Sequence, residues 1–411
     1  MKISGFTFDR RRFLKAGAAG LGLTGVPALV RAQGAKVKIG LMLPFSGAYA
    51  LLGVSIENGF RLALKEAGVN RLGREVQFVK VDDESDPAKA ADNIDRLVNR
   101  DKVDLVVGTV NAGVAAEMMR VTRAANVLHI IPNAGLASAG GALCAPNIFR
   151  TSFSNWQAGF AMGTVIAKRT AVRRVITLGW RTVAGEESIK GFRDAYLNGG
   201  GKVTRELWLP FPAADFHALL SEIAARKPHA VYAFLAGNAA ATFIRNYNQS
   251  GLMSSVPLIG PGFLTEGILG ALGDAAEGVE TTLHYGDGLD TPRNIVFRRA
   301  YTQAHGRPPD VYAVAGYDAG QLFTAGMQAV AGDVSRKIPM IKAMEQARID
   351  SPRGLLRISK NHNPIHNQYL RKVVGNENRV MDIAVKALDD DPATQAACRM
   401  ATPEAGKPNR A

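Results

Sequence analysis

Val37-Lys38-Ile39-Gly40-Leu41-Met42-Leu43, followed by Pro44-Phe45-Ser46-Gly47, is the stretch on which the fold turns. The run is apolar almost throughout and too short for a helix, and it ends in turn residues, so it reads as a strand buried on both faces. Directly after it, Ile56, Phe60, Ala63, Leu64 and Ala67 recur at helical spacing. The same pairing repeats outward. Residues 75–81 form a second strand; Asp86 then caps a helix with Pro87 at its first position and Ala91, Ile94, Leu97 and Val98 on one face. Short apolar strands at 103–107 and 127–131 bracket a helix around 115–125. A second series keeps the rhythm, with strands near 174–178, 202–209, 230–234, 256–259 and 279–283 and helices near 157–168, 186–198, 216–226 and 239–249. Strand–helix alternation of this kind gives an α/β fold with parallel sheets covered by helices, and two such series predict two similar, doubly wound lobes. Helical patterns return at 292–305, 311–330 and 339–346, short strands at 354–358 and 368–374, and the Pro- and Ala-rich end from Asp389 is expected to lie over the surface as a tail.

The first 32 residues differ from all of this. Asp9-Arg10-Arg11-Arg12-Phe13-Leu14-Lys15 precedes a Gly- and Ala-rich apolar run from Ala16 to Val30 and a small-residue exit at Val30-Arg31-Ala32. Paired arginines before x-Phe-Leu-Lys resemble a twin-arginine export signal, with Asp9 where Ser or Thr is usual. The apolar run of about 15 residues falls short of the ~20 that span a bilayer. Cleavage near Ala32 and a periplasmic protein starting at Gln33 are expected, with a retained anchor as the alternative. The whole chain carries +14; without the leader 44 basic residues face 35 acidic ones, or +9. The basic residues are scattered and show no interleaved aromatics, the opposite of a nucleic-acid stripe. Only Cys144 and Cys398 are present, which excludes a zinc ribbon or a CxxC site. In an oxidising compartment they can pair and tie the C-terminal tail to the first half; two free thiols is the other reading.

Ligands of parallel sheets sit beyond the carboxyl ends of the strands. Those ends here are Gly108-Thr109-Val110-Asn111-Ala112-Gly113, Pro132-Asn133-Ala134-Gly135, Gly179-Trp180-Arg181, Leu235-Ala236-Gly237-Asn238 and Gly260-Pro261-Gly262-Phe263. Each alone is an ordinary glycine-containing βα turn; five of them in two lobes point to a shared cleft. A helix starting near Gly113 would aim N–H groups at an anion. Trp180 and Tyr312 offer stacking faces or plain packing. No phosphate-binding glycine fingerprint, nucleophile elbow or H-E-x-x-H is present, and no cofactor, metal or catalytic set is expected. His129 reads as a core histidine, His362 and His366 around Pro364 as a surface turn, and Asp82-Asp83-Glu84 with Asp86 as strand-end and capping residues.

Lys38-Ile39-Gly40 with Pro44-Phe45-Ser46-Gly47 and Gly53, Val81-Asp82-Asp83 with Asp86-Pro87, Val106-Val107-Gly108, Ile131-Pro132-Asn133-Ala134, Phe149-Arg150-Thr151, Gly260-Pro261, Tyr317-Asp318-Ala319 and Ser351-Pro352-Arg353-Gly354 stand in the order and spacing of one family. Across 36–390 the chain resembles the leucine/isoleucine/valine-binding proteins, the type I periplasmic solute-binding components of ABC importers. The resemblance implies a monomer of two lobes, 36–151 plus 285–354 and 152–284 plus 355–388, with 389–411 as the tail. Three hinge crossings near 150–153, 284–287 and 354–358 would let the lobes close on a solute and present it to permease subunits in the inner membrane. A sensor role towards a membrane partner is the alternative on the same fold. The departures from the family pattern bear on the ligand. Where amino-acid binders hold the carboxylate and ammonium with Ser, Thr and Glu, this chain has Ala112, Gly135 and Gly262, and Ala184 and Ala236 stand where tyrosines are expected. A buried ammonium without acceptors costs several kcal/mol. The expected ligand is therefore an aromatic or other organic acid or amide, contacted by Val110, Asn111, Ala112, Asn133, Ala134, Gly135, Trp180, Ala184, Ala236, Gly262 and Tyr312.

Overall fold

The computed structural model describes residues 36–69 and 74–400, and the expected export signal lies outside them. The opening stretch is β1 (Val37–Leu43), buried along nearly its whole length, and α1 (Ala50–Glu66) follows. Then come β2 (Val76–Asp82), α2 (Pro87–Asp95), β3 (Leu105–Val107), α3 (Ala112–Ala124), β4 (Leu128–Ile131) and β5 (Ile148–Arg150). These strands form one sheet in the order β2-β1-β3-β4-β5, every pair parallel. Asp86 caps α2 as its sequence requires, accepting from the Ala88 N–H with Pro87 at the first position. Asp82 and Asp83 accept backbone N–H groups of Phe45, Glu84 and Ser85, which is strand-end chemistry.

The second lobe runs α4 (Asn155–Ala167), β6 (Arg174–Trp180), α5 (Val183–Asn198), β7 (Lys202–Leu209), α6 (His217–Arg226), β8 (Ala230–Phe234), α7 (Gly237–Gln249), β9 (Leu258–Pro261), α8 (Leu269–Leu272) and β10 (Glu280–Leu283). Its parallel part has the order β7-β6-β8-β9-β10. The chain then returns through α9 (Pro292–His305), α10 (Val311–Ala329) and α11 (Lys337–Glu345). Leu322 and Phe323 of α10 pack with Ile39, Leu41 and Phe60 in the first core, whereas Ile176, Leu178, Val231 and Phe243 centre the second. Gly59 and Gly316 let α1 and α10 touch: a Cβ on Gly59 would sit 1.9 Å from the Ala313 carbonyl oxygen.

An antiparallel extension of four strands follows: β11 (Arg348–Ser351), β12 (Gly354–Ile358), β13 (Pro364–Val374) and β14 (Glu377–Leu388); the short strands expected at 354–358 and 368–374 are β12 and part of β13, while β11 and β14 were not expected. The β13–β14 hairpin turns on Gly375 and Asn376, both at positive φ, which is the two-residue turn that matches strand twist. Leu356 and Ile358 of β12 pack in the first core, and β13, paired with β12 at its start, runs on to pair with β10 of the second sheet. As far as Met400 the end of the chain is tied down. Buried Asp390 pairs with buried Arg150 at 3.2 Å, α12 (Pro392–Ala397) follows, and Cys398 is bonded to Cys144. The histidines near Pro364 are also not a surface turn: His362 and His366 are 3% and 2% exposed. His362 stacks on Phe149 at 3.9 Å and His366 approaches Arg353, so the turn closes inward on the crossings.

Candidate functional site

Each parallel sheet reverses its strand order once, between β1 and β3 in the first lobe and between β6 and β8 in the second. Loops diverge at such points and leave a crevice beyond the carboxyl ends of the strands. A cleft of about 330 Å³ opens there, near the small end of the ~300–1,000 Å³ usual for small-molecule sites. Tyr49 enters it from the β1 loop and Leu52 from the first turn of α1, Val110 and Asn111 from the β3 loop, and Ala112 and Gly113 from the start of α3. Asn133 and Gly135 follow β4; Trp180, Thr182, Val183 and Ala184 follow β6; Phe234 and Ala236 end β8. Phe153 comes from the segment after β5, Asn155 from the start of α4, Phe211 from the loop after β7, Phe263 from the turn after β9, and Tyr312 from the start of α10.

The walls are aromatic. Phe153 and Phe263 meet at 5.0 Å, and the Trp180 ring stands edge-on to Phe211 at 5.1 Å, its indole N–H donating to the Ala213 carbonyl at 2.9 Å. The lining side chains include no Lys, Arg, His, Asp or Glu among the described residues. Burial raises the phenols of Tyr49 and Tyr312 above their usual value, so both are neutral hydroxyls at pH 7. Positive potential comes instead from the backbone. Helices α3, α5 and α7 begin at Ala112, Val183 and Gly237, directly at the lining residues, and present first-turn N–H groups that have no partner within the helix. Thr182 caps α5 by accepting from Gly185 N–H, which leaves those of Val183 and Ala184 outside the cap. Such a site holds an anion without a basic side chain.

Nine of the eleven residues picked from the sequence line this cleft: Val110, Asn111, Ala112, Asn133, Gly135, Trp180, Ala184, Ala236 and Tyr312. Ala134 does not; it is buried against Ala115, Ile131 and Leu136 beneath the loop. Gly262 does not either. Its missing Cβ faces Arg371 and Leu283, each 2.6 Å from where that atom would be, and the neighbouring Phe263 reaches the cleft instead. The loop after Gly260-Pro261 does carry a carboxylate, Glu266, but it is buried and paired with Arg371 at 2.9 Å, away from the lining. Asn111 spends its amide on structure: its oxygen caps α3 at Gly113 and Val114, and its amino group donates to Ser85. The Asn133 side-chain amide has no hydrogen-bond partner among the described residues. Gly113 and Phe263 lie in strand-end loops that the sequence singles out, though not among its named contacts; Tyr49, Leu52, Phe153, Asn155, Thr182, Val183, Phe211 and Phe234 are not in that reading. Thr182 and Val183 were within reach, lying one step beyond a strand end already singled out. Phe153, Asn155 and Phe211 gave no local signal, because only the segment from β5 into α4 and the loop after β7 bring them to the cleft.

Comparison with known proteins agrees with this architecture. A model of the periplasmic binding protein family matches residues 36–378. The Leu/Ile/Val-binding protein homolog 6 of Brucella melitensis is 30% identical over 347 residues, 82% of this chain and 87% of that protein. A solute-binding protein of an ABC transporter from Rhodopseudomonas palustris, solved in complex with benzoate, superposes with a TM-score of 0.83 at 41% identity, covering 89% of this chain and 99% of that one. Another from Rhodopseudomonas palustris BisB5, in complex with 3,4-dihydroxybenzoic acid, gives 0.79 at 28% identity over 87% and 98%. The match along nearly the whole described body, together with the two-lobed fold, shows that the chain belongs to the type I periplasmic binding proteins of the Leu/Ile/Val-binding family.

Proposed function

We propose that this protein is exported to the periplasm, captures an aromatic carboxylic acid between its lobes and delivers it to the permease of an ABC importer. The observation that carries the reading is the cleft itself: aromatic walls, no charged lining side chain, and three helix N-termini converging from both lobes. A flat ring fills such walls, and a carboxylate at the N-termini gains roughly 0.3–1 kcal/mol per helix, up to ~2 where partly buried. An α-amino acid would bring an ammonium with no carboxylate to receive it, since Glu266 is engaged by Arg371. The residues lining the cleft, with Asn133 as its free amide, are the proposed ligand contacts, and Ala134 and Gly262 act as packing behind it. The related proteins in complex with benzoate and 3,4-dihydroxybenzoic acid support the ligand class. Titration calorimetry of the chain from Gln33 onward, with benzoate and with leucine, tests this. Micromolar or tighter benzoate binding without leucine binding is expected, and leucine binding without benzoate binding would refute it.

A further inference from the structure

Asn155, the first residue of α4, is fixed in the cleft in a way that gives it one chemical face. Its backbone N–H donates to the Gly135 carbonyl at 2.8 Å, and its side-chain Nδ2 donates to Glu187 Oε2 at 2.8 Å. Burial raises Glu187, while the Ala137 N–H, the Asn155 amide and the nearby Arg150 favour its ionised form; as a carboxylate it only accepts, and the amino group of Asn155 then faces it and the oxygen faces away. Glu187 is held in turn, because its Oε1 accepts the Ala137 N–H at 2.9 Å from the loop after β4. Asn155 Oδ1 is directed over Gly135, where a Cβ would lie only 2.4 Å from it. That oxygen has no donor partner among the described residues, and it belongs to a lining residue. The carboxylate end of a ligand is served by donors at the helix N-termini; this spot offers the reverse, a lone acceptor.

Resting on the aromatic-acid reading above, we propose that Asn155 selects ring-hydroxylated aromatic acids, its Oδ1 accepting the ring O–H, and that Glu187 is the positioning residue that keeps this oxygen turned to the cleft. An unsubstituted ring buries the oxygen without a partner; a hydroxyl restores the bond lost from water. One net hydrogen bond corresponds to roughly 3- to 10-fold in affinity. In 2-hydroxybenzoate the hydroxyl bonds to its own carboxylate, so the gain is expected with the 3- or 4-isomer.

Titration calorimetry at pH 7.5 with benzoate, the three hydroxybenzoates and the 3- and 4-methoxybenzoates is the test. In the wild type one of the 3- or 4-hydroxybenzoates should bind about 3- to 10-fold tighter than benzoate, and its methyl ether should lose that gain. In Asn155→Ala the hydroxyl-to-benzoate ratio should fall to about one. Glu187→Gln preserves shape: the Ala137 N–H holds the new amide oxygen, its amino group faces Asn155, and Asn155 turns its own amino group to the cleft. There the methyl ether should gain on the hydroxyl compound. Benzoate binding with no hydroxyl advantage, or an advantage that survives both substitutions, overturns this inference alone. Binding of none of these acids overturns it together with the aromatic-acid reading.

Discussion

The segment after β5 and strand β13 meet at one buried ion pair, and cutting it gives the clearest test of how the body is held. Arg353 and Asp318 have fully buried side chains 2.9 Å apart. The guanidinium also donates to the carbonyls of Thr151 and Ser152 in the segment after β5 and lies 3.2 Å from His366 Nδ1 on β13, while Ser351 Oγ donates to Asp318. Asp318→Asn keeps the shape but leaves a buried cation with no countercharge, which costs about 3–5 kcal/mol. With an unfolding entropy of roughly 2.1 cal/mol/K per residue, a body of this size loses about 4–7 °C in Tm. Arg353→Met strands the carboxylate instead, and burial already raises Asp318 against the pull of Arg353. A carboxyl with a raised folded pKa binds more protons folded than unfolded, so stability falls as pH climbs from the ordinary carboxylate range through the raised value. The Arg353→Met deficit should therefore grow between pH 5 and 8 and the Asp318→Asn deficit should not. Scanning calorimetry of both variants across that range decides. A loss under ~1 kcal/mol in Asp318→Asn, or matching pH profiles, would refute the assignment of the pair as the tie between these segments.

Burial lowers His129 to about 4, with Nε2 on the Gly108 carbonyl at 3.0 Å, and His284 and His366 shift the same way. Because the unfolded imidazole binds the proton more readily, His129 should cost about 2–3 kcal/mol of stability between pH 7 and 4.5. Urea unfolding of His129→Gln should show a pH slope shallower by that amount, and an unchanged slope would refute it. The Cys144–Cys398 bond joins residues 254 apart. Its removal in Cys144→Ala/Cys398→Ala should cost about 2–4 kcal/mol in thermal melts, and the same drop should follow reduction of the wild type. Equal melting with and without reductant would refute that.

Most of the fold is written in local periodicity. β7 (Lys202–Leu209), β8 (Ala230–Phe234) and α9 (Pro292–His305) keep their predicted bounds: β8 is buried throughout, while β7, half-exposed along most of its length, is bounded by Gly201 and Pro210. The omissions share a cause. β5 is three residues long and reads as part of a loop, while β14 alternates weakly because much of it is half-exposed. Yet the Gly375-Asn376 pair after an apolar run was a usable hairpin signal. The inward turn of His362 and His366 had no local mark, because what buries them is Phe149, Glu345 and Arg353 from three other segments.

The cleft divides along the same line. Residues at strand ends were legible because parallel topology alone sends them to one crevice; residues on the crossings were not, because their direction depends on how two lobes meet. Phe153 shows the difference. It follows β5 by three residues, packs against Phe263 on one side and stacks on buried His284 at 5.4 Å on the other. His284 sits just past β10 and itself stacks on His366 of β13 at 5.2 Å. One wall of the cleft is thus continuous with the segment after β5, the end of β10 and β13. If the lobes move about these segments, that wall moves with them, and a ligand filling the space against Phe153 would favour the arrangement that sets the ring there. Coupling of capture to closure would then need no charged latch at the cleft, which fits a lining without Lys, Arg, His, Asp or Glu among the described residues.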